Sequence, residues 1–263
     1  SAADAWGAAL RTPNFIQNLL GEGTLSASFI PVYARFLEHG RDEEAGHFAG
    51  AALGLITVIA FGTALVGVVI APGLVHVLYP LWVPEKQALT VQLVRILFPM
   101  TAVLVVSAWA LGILNSHRRF FVSYVAPVLW NLAMITALVG FGSVWGWNAA
   151  GRDADLMVVL AIAALVGGFF QLAIMLPWVI PSLQYFRLSV STKVSGMQEA
   201  IRNFTPVVMS RGVVNMAGLL DFVLAGLLVE GAVSMLRYGQ TIYLLPIALF
   251  GMSIAASELP ELS

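Results

Sequence analysis

Six stretches of this sequence are each long and apolar enough to cross a bilayer as a helix: residues 48–79, 93–114, 122–147, 156–181, 204–229 and 233–258. A hydrocarbon core takes about 20 mostly apolar residues per helix. The composition agrees, since 59% of the residues are hydrophobic and only 10% charged, against about one quarter charged in soluble domains. The expected fold is therefore all-α, a polytopic membrane helix bundle. Thirteen Lys and Arg nearly balance fourteen Asp and Glu, which gives no footing for nucleic acid. With no cysteine, disulfides, thiol catalysis and zinc–thiolate sites are excluded.

Residues 4–36 form a seventh, more polar candidate span. No basic region or small-residue cleavage site precedes it, which argues against a signal peptide, and the bare ends suggest a piece of a longer protein. Pro72-Gly73 is expected to end or bend the first apolar span. Pro127, Pro177 and Pro246 are expected near helix ends or kinks. Arg35, Arg41, Arg118, Arg119, Arg187, Lys193 and Arg202 fall in one set of loops, and Lys86, Arg152 and Arg237 in the other. Seven against three makes the first set cytoplasmic, so the chain starts outside and ends inside. The connection 181–203 alternates apolar with basic and polar residues. It reads equally as an interfacial amphipathic helix and as a solvated linker.

The opening span carries an organised polarity. At about 100° per residue, Arg11, Asn14, Asn18, Glu22 and Ser26 fall within a band roughly 120° wide, with Asp4 joining them if Pro13 causes no kink. Gln17, Gly21 and Ser28 lie on its shoulder, and Leu19, Leu20, Ile16 and Ile30 mostly opposite. An ionised residue at mid-membrane costs about 2.5–3.5 kcal/mol even on the lenient insertion scale. A face with Arg11 and Glu22 is therefore expected to meet a hydrated cavity, although Asn18 or Ser26 alone would suit a bond between helices.

The span 204–229 supplies a second cluster. Arg211 and Asp221 stand ten residues apart, about 15 Å along a helix, too far for one salt bridge. Arg211 reads equally as a cavity cation and as a snorkelling side chain. Asp221 reads as a cation ligand or proton carrier, against a protonated structural role. Asn115, Arg118 and Arg119 could meet phosphates, but a basic loop after a membrane helix is the default. Asn131 and Gln171 are expected to bond between helices. His39, His47, His76 and His117 have no metal-like spacing, and "GEG" is no dinucleotide fingerprint. No catalytic motif is found, so no enzyme is expected.

The stretch "DAWGAALRTPNFIQNLLGEGTLSASFIPVYARF" resembles the second membrane helix of the MurJ (MviN-type) lipid II flippases, members of the MOP exporter superfamily. "LGILNSHRRFFVSYVAPVLWNLAMI", "GGFFQLAIMLPWV" and "YLLPIALFGMSIAASELPELS" extend the likeness in order along nearly the whole chain. The resemblance implies a MATE-like transporter fold of about fourteen helices, of which this chain matches helices two to eight. It divides the chain into an N-terminal lobe over 1–180, a cytoplasmic amphipathic linker over 181–203 and the first two helices of the other lobe over 204–263. An internal echo agrees with that duplication: Ala27, Ser28 and Pro31 correspond to Ala256, Ser257 and Pro260 at a constant offset.

The resemblance further implies movement of an undecaprenyl-diphosphate-linked saccharide peptide, lipid II, by alternating access through a cationic cavity. It implies a bacterial cytoplasmic-membrane location, no resident cofactor and a monomer. Coupling to sodium, to protons or to the membrane potential stays open, with Asp221 at a position that resembles a sodium ligand. Two arginines that the family uses toward diphosphate are replaced here by Gln17 and Thr241, with Arg11 and Arg211 as candidate substitutes. An exporter of another polyprenyl-linked saccharide or of an amphipathic drug is the alternative. A membrane enzyme acting on isoprenoid phosphates would need clustered acids or a His–carboxylate pair, and a non-transporting scaffold would need inert cavity residues.

Overall fold

The computed structural model describes residues 1–145 and 152–246, without the side chains of Glu22 and Trp145. The polar opening span is broken. Helix α1 (Ala2–Leu20) stops at the extended Gly21, α2 (Glu22–Ser28) follows, and α3 (Ile30–Glu38) completes the span after Phe29. Gly21, Gly23 and Pro31 supply the weak helix formers that such breaks need. Four long apolar helices come next: α4 (Asp42–Leu78), α5 (Pro84–Ser116), α6 (Phe120–Trp145) and α7 (Asp153–Val179). A 3-10 turn (Ile180–Ser182) leads into a non-helical connection, then α8 (Met197–Gly226) and α9 (Ala232–Pro246).

Helix α5 is the core. In its most apolar window 83% of residues are buried, against 11% for α6. It packs on α1, α4 and α7, while α6 leans mainly on α7. Lipid is as apolar as Leu, so close approach rather than hydrophobicity holds such helices together. The buried Ala5, Ala8 and Ala9 of α1 and Ala60, Ala64 and Ala71 of α4 provide it. Near the other end, Phe29 stacks on Phe48 at 5.2 Å and on Tyr33 at 5.4 Å. Indole N–H groups tie helices further, Trp109 donating to the Ala49 carbonyl at 3.2 Å and Trp130 to Ala164 at 2.9 Å.

Three expectations change. Of the two outcomes expected at Pro72-Gly73, an end is not seen, since α4 runs on to Leu78; the carbonyl freed at one position is a small loss in a helix otherwise intact. Asn131 donates to the Pro127 carbonyl of its own helix at 3.3 Å rather than to a neighbour. The connection is no amphipathic helix: residues 183–196 are extended or turned. Gly46, Gly50 and Gly54 open a side-chain-free furrow along α4, and the backbone at Gln184, Arg187 and Ser189 lies in it so closely that any Cβ would overlap a carbonyl oxygen. The Ser189 N–H reaches the Gly50 carbonyl at 3.5 Å. The Asp42-Glu43-Glu44 start of α4 complements its helix dipole. The parts of the expected spans beyond residue 145 and beyond residue 246 lie outside the described residues, as do Ala256, Ser257 and Pro260.

Candidate functional site

The polar face of α1 turns toward α8 and α9, and its residues fare differently along it. At one end the Asp4 carboxylate is fully satisfied. The Asp4 side chain is 1% exposed. It accepts from the Ser234 N–H at 3.0 Å, the Ser234 hydroxyl at 2.7 Å, the Gly231 N–H at 2.9 Å and the Lys86 ammonium at 2.9 Å. A carboxylate thus caps the N-terminus of α9 from another helix, where the dipole favours negative charge. Gly231 is the residue that can hold φ +92° there. Lys86 also lies 3.8 Å from the Trp82 ring centroid, and the Trp82 indole donates to the Gly226 carbonyl at 2.9 Å. A cavity of about 210 Å³ sits among Asp4, Trp82, Lys86, Glu230 and Val233. Asp4 was expected to line a substrate passage; here its oxygens are met by protein donors, the Ser1 ammonium at 3.3 Å besides the four already named.

Midway, Arg11 reaches α8. Its guanidinium rests where a Cβ on Gly218 would sit and lies 5.4 Å from the Phe222 ring centroid. Asp221 is within electrostatic reach of Arg11. The depth of Asp221 suggested a buried carboxylate, but its side chain is exposed, beside an apolar groove formed with Leu224, Leu228 and Leu236. Lower still, the Asn18 amide donates to the Asn215 side chain at 2.8 Å, and Asn215 donates to the Arg211 carbonyl at 2.9 Å. The interhelical reading of Asn18 is the one realised. Arg211 is exposed, and its guanidinium covers Gly23 so closely that no Cβ would fit there.

Asn14 and Gln17 are half-buried with no side-chain hydrogen bond among the described residues, and Ser26 is exposed. The Glu22 side chain lies outside the described residues. The break at Gly21 separates Glu22 and Ser26 from the α1 face, so the single stripe drawn for an unbroken helix does not continue through them. Thr241 is exposed and its hydroxyl donates to the Arg237 carbonyl at 3.0 Å. Sequence reasoning placed Arg237 in a loop. It lies inside α9, half-buried against α1 beside Gly7.

At the opposite end a cavity of about 240 Å³ is lined by Tyr33, Asp42, His117, Arg119 and Gln184. The Tyr33 hydroxyl and His117 Nε2 are 3.1 Å apart. Burial first, and then the Arg119 charge, push the His117 pKa below its ordinary value, while Asp42 opposes this. Arg35 of α3 holds Glu199 of α8 with two hydrogen bonds, one of 3.0 Å.

The family profile described as Lipid II flippase MurJ matches residues 1–263. A probable lipid II flippase MurJ of Rhizobium meliloti is 31% identical over 274 residues, covering 99% of this chain and 48% of that protein. One from Bdellovibrio bacteriovorus is 30% identical, covering 100% of this chain and 50% of the relative. The lipid II flippase MurJ of Burkholderia cenocepacia is 29% identical, covering 99% and 50%. A solved structure titled "Lipid II flippase MurJ, inward closed conformation" matches with a TM-score of 0.71 at 21% identity, over 95% of this chain and 50% of that one. The chain spans about half the length of these relatives. Among the described residues five helices are long and apolar enough to cross a membrane, as a multi-pass membrane protein requires. With the profile matched from end to end, this chain belongs to the MurJ lipid II flippase family.

Proposed function

We propose that the protein to which this chain contributes moves lipid II from the inner to the outer leaflet of the bacterial cytoplasmic membrane by alternating access. The observation that carries this is the orientation of the α1 polar face, which meets α8 and α9 rather than lipid from Asp4 through Arg11 to Asn18. A sugar–phosphate headgroup cannot pass through hydrocarbon unaided, and a polar wall between two helix groups removes that penalty. In this reading residues 1–180 are one lobe, 181–203 the linker and 204–263 the start of the other. The Asp4 end faces outside, the chain's last residues face the cytoplasm, and the Asp4–Ser234 contacts close the outer side. Asp221 is the candidate for sodium or proton coupling. The protein works as a monomer without a resident cofactor.

The test uses the complete gene in cells depleted of their own lipid II flippase, scoring lipid II exposed on the outer leaflet. Restored exposure that is lost in Arg11→Ala supports the proposal. No restoration, with the protein present in the membrane, overturns it. One observation favours a second reading, export of a different polyprenyl-linked saccharide. Gln17 and Thr241 are uncharged, and the Thr241 hydroxyl is turned back onto its own helix. Transport of such a lipid in the absence of lipid II exposure would select that reading.

A further inference from the structure

The connection between α7 and α8 is held by its backbone at one end and turns on a single glycine at the other. Gly46, Gly50 and Gly54 recur one turn apart on α4, and a Cβ on any of them would overlap the carbonyl oxygen of Gln184, Arg187 or Ser189 respectively. Three carbonyls in register over glycine Cα–H groups are weak contacts that act together. The Phe186 ring adds an anchor, 6.4 Å from that of Trp109 on α5. The apolar side chains beside these carbonyls do little of the holding, since Leu188 is 67% exposed and Val190 61%.

Beyond Val190 the furrow contacts stop. Residues 191–196 are mostly turns, and among the described residues no backbone hydrogen bond joins them to α4. A side-chain bond from Ser195 to Glu44 is what reaches back. Gly196 then takes φ +81° and caps α8. It sits against α3, where a Cβ would lie 2.7 Å from Val32 Cγ1 and 2.9 Å from the Phe36 ring. Met197 and Ala200 of α8 are buried in the same cluster as Val32 and Phe36. One turn past the glycine, Glu199 takes two hydrogen bonds from Arg35 of α3, one of 3.0 Å.

Hinges are a few residues at the ends of elements that absorb a change of φ and ψ, and glycine does so at least steric cost. Gly196 meets both conditions, with no side chain between α3 and the first turn of α8. The three-carbonyl seat meets neither, because shifting it would break all its contacts at once. We propose that residues 183–190 move as a fixed part of the first lobe, and that α8 pivots about 191–196 with Gly196 as the hinge. This rests on the alternating access proposed above, and it shrinks the working linker from 181–203 to 191–196. The Arg35–Glu199 pair, just past the hinge, is the contact that parts when α8 swings.

The seat is tested by limited trypsin digestion of the full-length protein in nanodiscs. The Arg187 and Lys193 side chains are both exposed, but cleavage needs a locally free backbone, so its rate reports local opening. Lys193 should be cut at least about tenfold faster than Arg187. Equal rates, faster cutting at Arg187 or no cutting at Lys193 would overturn the inference. The pivot is tested by cross-links in a cysteine-free full-length background, scored by lipid II exposure. An Arg35→Cys/Glu199→Cys disulfide should stop export until reductant is added. Thr57 and Val190 border one groove of about 580 Å³, and a bis-maleimide joining Thr57→Cys to Val190→Cys should leave export unchanged. Arrest by the second link, or export that survives the first, overturns the pivot while leaving export itself standing. A parent protein that exports no lipid II sinks the pivot together with the export proposal, and the trypsin rates alone then decide the seat of 183–190.

Discussion

The carboxylate of Asp4 and residue Ser234, 230 positions apart, share two hydrogen bonds, 3.0 Å from the Ser234 N–H and 2.7 Å from its hydroxyl. With Lys86 on the other oxygen at 2.9 Å, this is a buried ion pair that fastens α1 to the start of α9. Removing one partner of such a pair leaves the other charge uncompensated, a loss on the order of 3 kcal/mol. Asp4→Asn is therefore expected to loosen the junction between α1 and α9. The chain has no cysteine, so a single cysteine at Val233, 2% exposed, reports on opening. It should react slowly with a membrane-impermeant maleimide in the parent and several-fold faster with Asp4→Asn. Equal rates would mean that this contact does not hold the end closed.

The glycine furrow on α4 makes a contrasting pair of substitutions informative. A Cβ at Gly50 would overlap the Arg187 carbonyl, whereas one at Gly62 meets nothing within 4 Å. Gly50→Ala must displace the 184–190 backbone and should cost about 1–3 kcal/mol. Gly62→Ala should be neutral or stabilising by up to about 1 kcal/mol through helix propensity. Thermal unfolding of the two variants in detergent, with proteolysis at Arg187 as a local readout, distinguishes them. Similar midpoints for both would remove the furrow's role in seating the connection.

What could be read in the sequence divides along physical lines. Helix existence was readable, because runs of about 20 apolar residues have one outcome in a membrane. The polar face of α1 was readable as far as Asn18, since a rigid 3.6-residue period places Asp4, Arg11 and Asn18 together. Past Gly21 the period restarts, so the face that an unbroken helix gives Ser26 no longer applies. The occupation of Asp4 by Ser234 and Gly231 was hidden, because contacts between residues so far apart carry no local pattern. Gly46, Gly50 and Gly54 show the small-residue spacing of helix packing, yet an extended segment fills the furrow. Arg237 was missed because a lone basic residue near a span end counts toward topology as readily as toward a cavity.

Asn18 and Asn215 should be energetically coupled. Their 2.8 Å amide bond crosses between α1 and α8, and interhelical hydrogen bonds in membranes average about 0.6 kcal/mol with a maximum near 1.7. A double-mutant cycle with Asn18→Ala, Asn215→Ala and both together, read by unfolding in detergent, should return a coupling in that range. Zero coupling would show that Asn18 turns elsewhere in the working protein and would return it to the list of cavity residues.

His117 should make stability sensitive to mild acid. It stands in the loop after α5, hydrogen-bonded to Tyr33 at 3.1 Å, and burial together with Arg119 holds its pKa below the usual 6.5. The unfolded chain then binds the proton more readily than the folded one as pH falls through 6.5. Stability is accordingly complete above that value and declines below it, down to the depressed folded pKa. The unfolding midpoint of the full-length protein should drop between pH 7.5 and pH 5.5, and His117→Gln should flatten that slope because glutamine still bonds Tyr33 without titrating. Asp42 works against the effect by favouring the imidazolium, so Asp42→Asn should steepen the slope. A slope unchanged by His117→Gln would assign the acid sensitivity to another group.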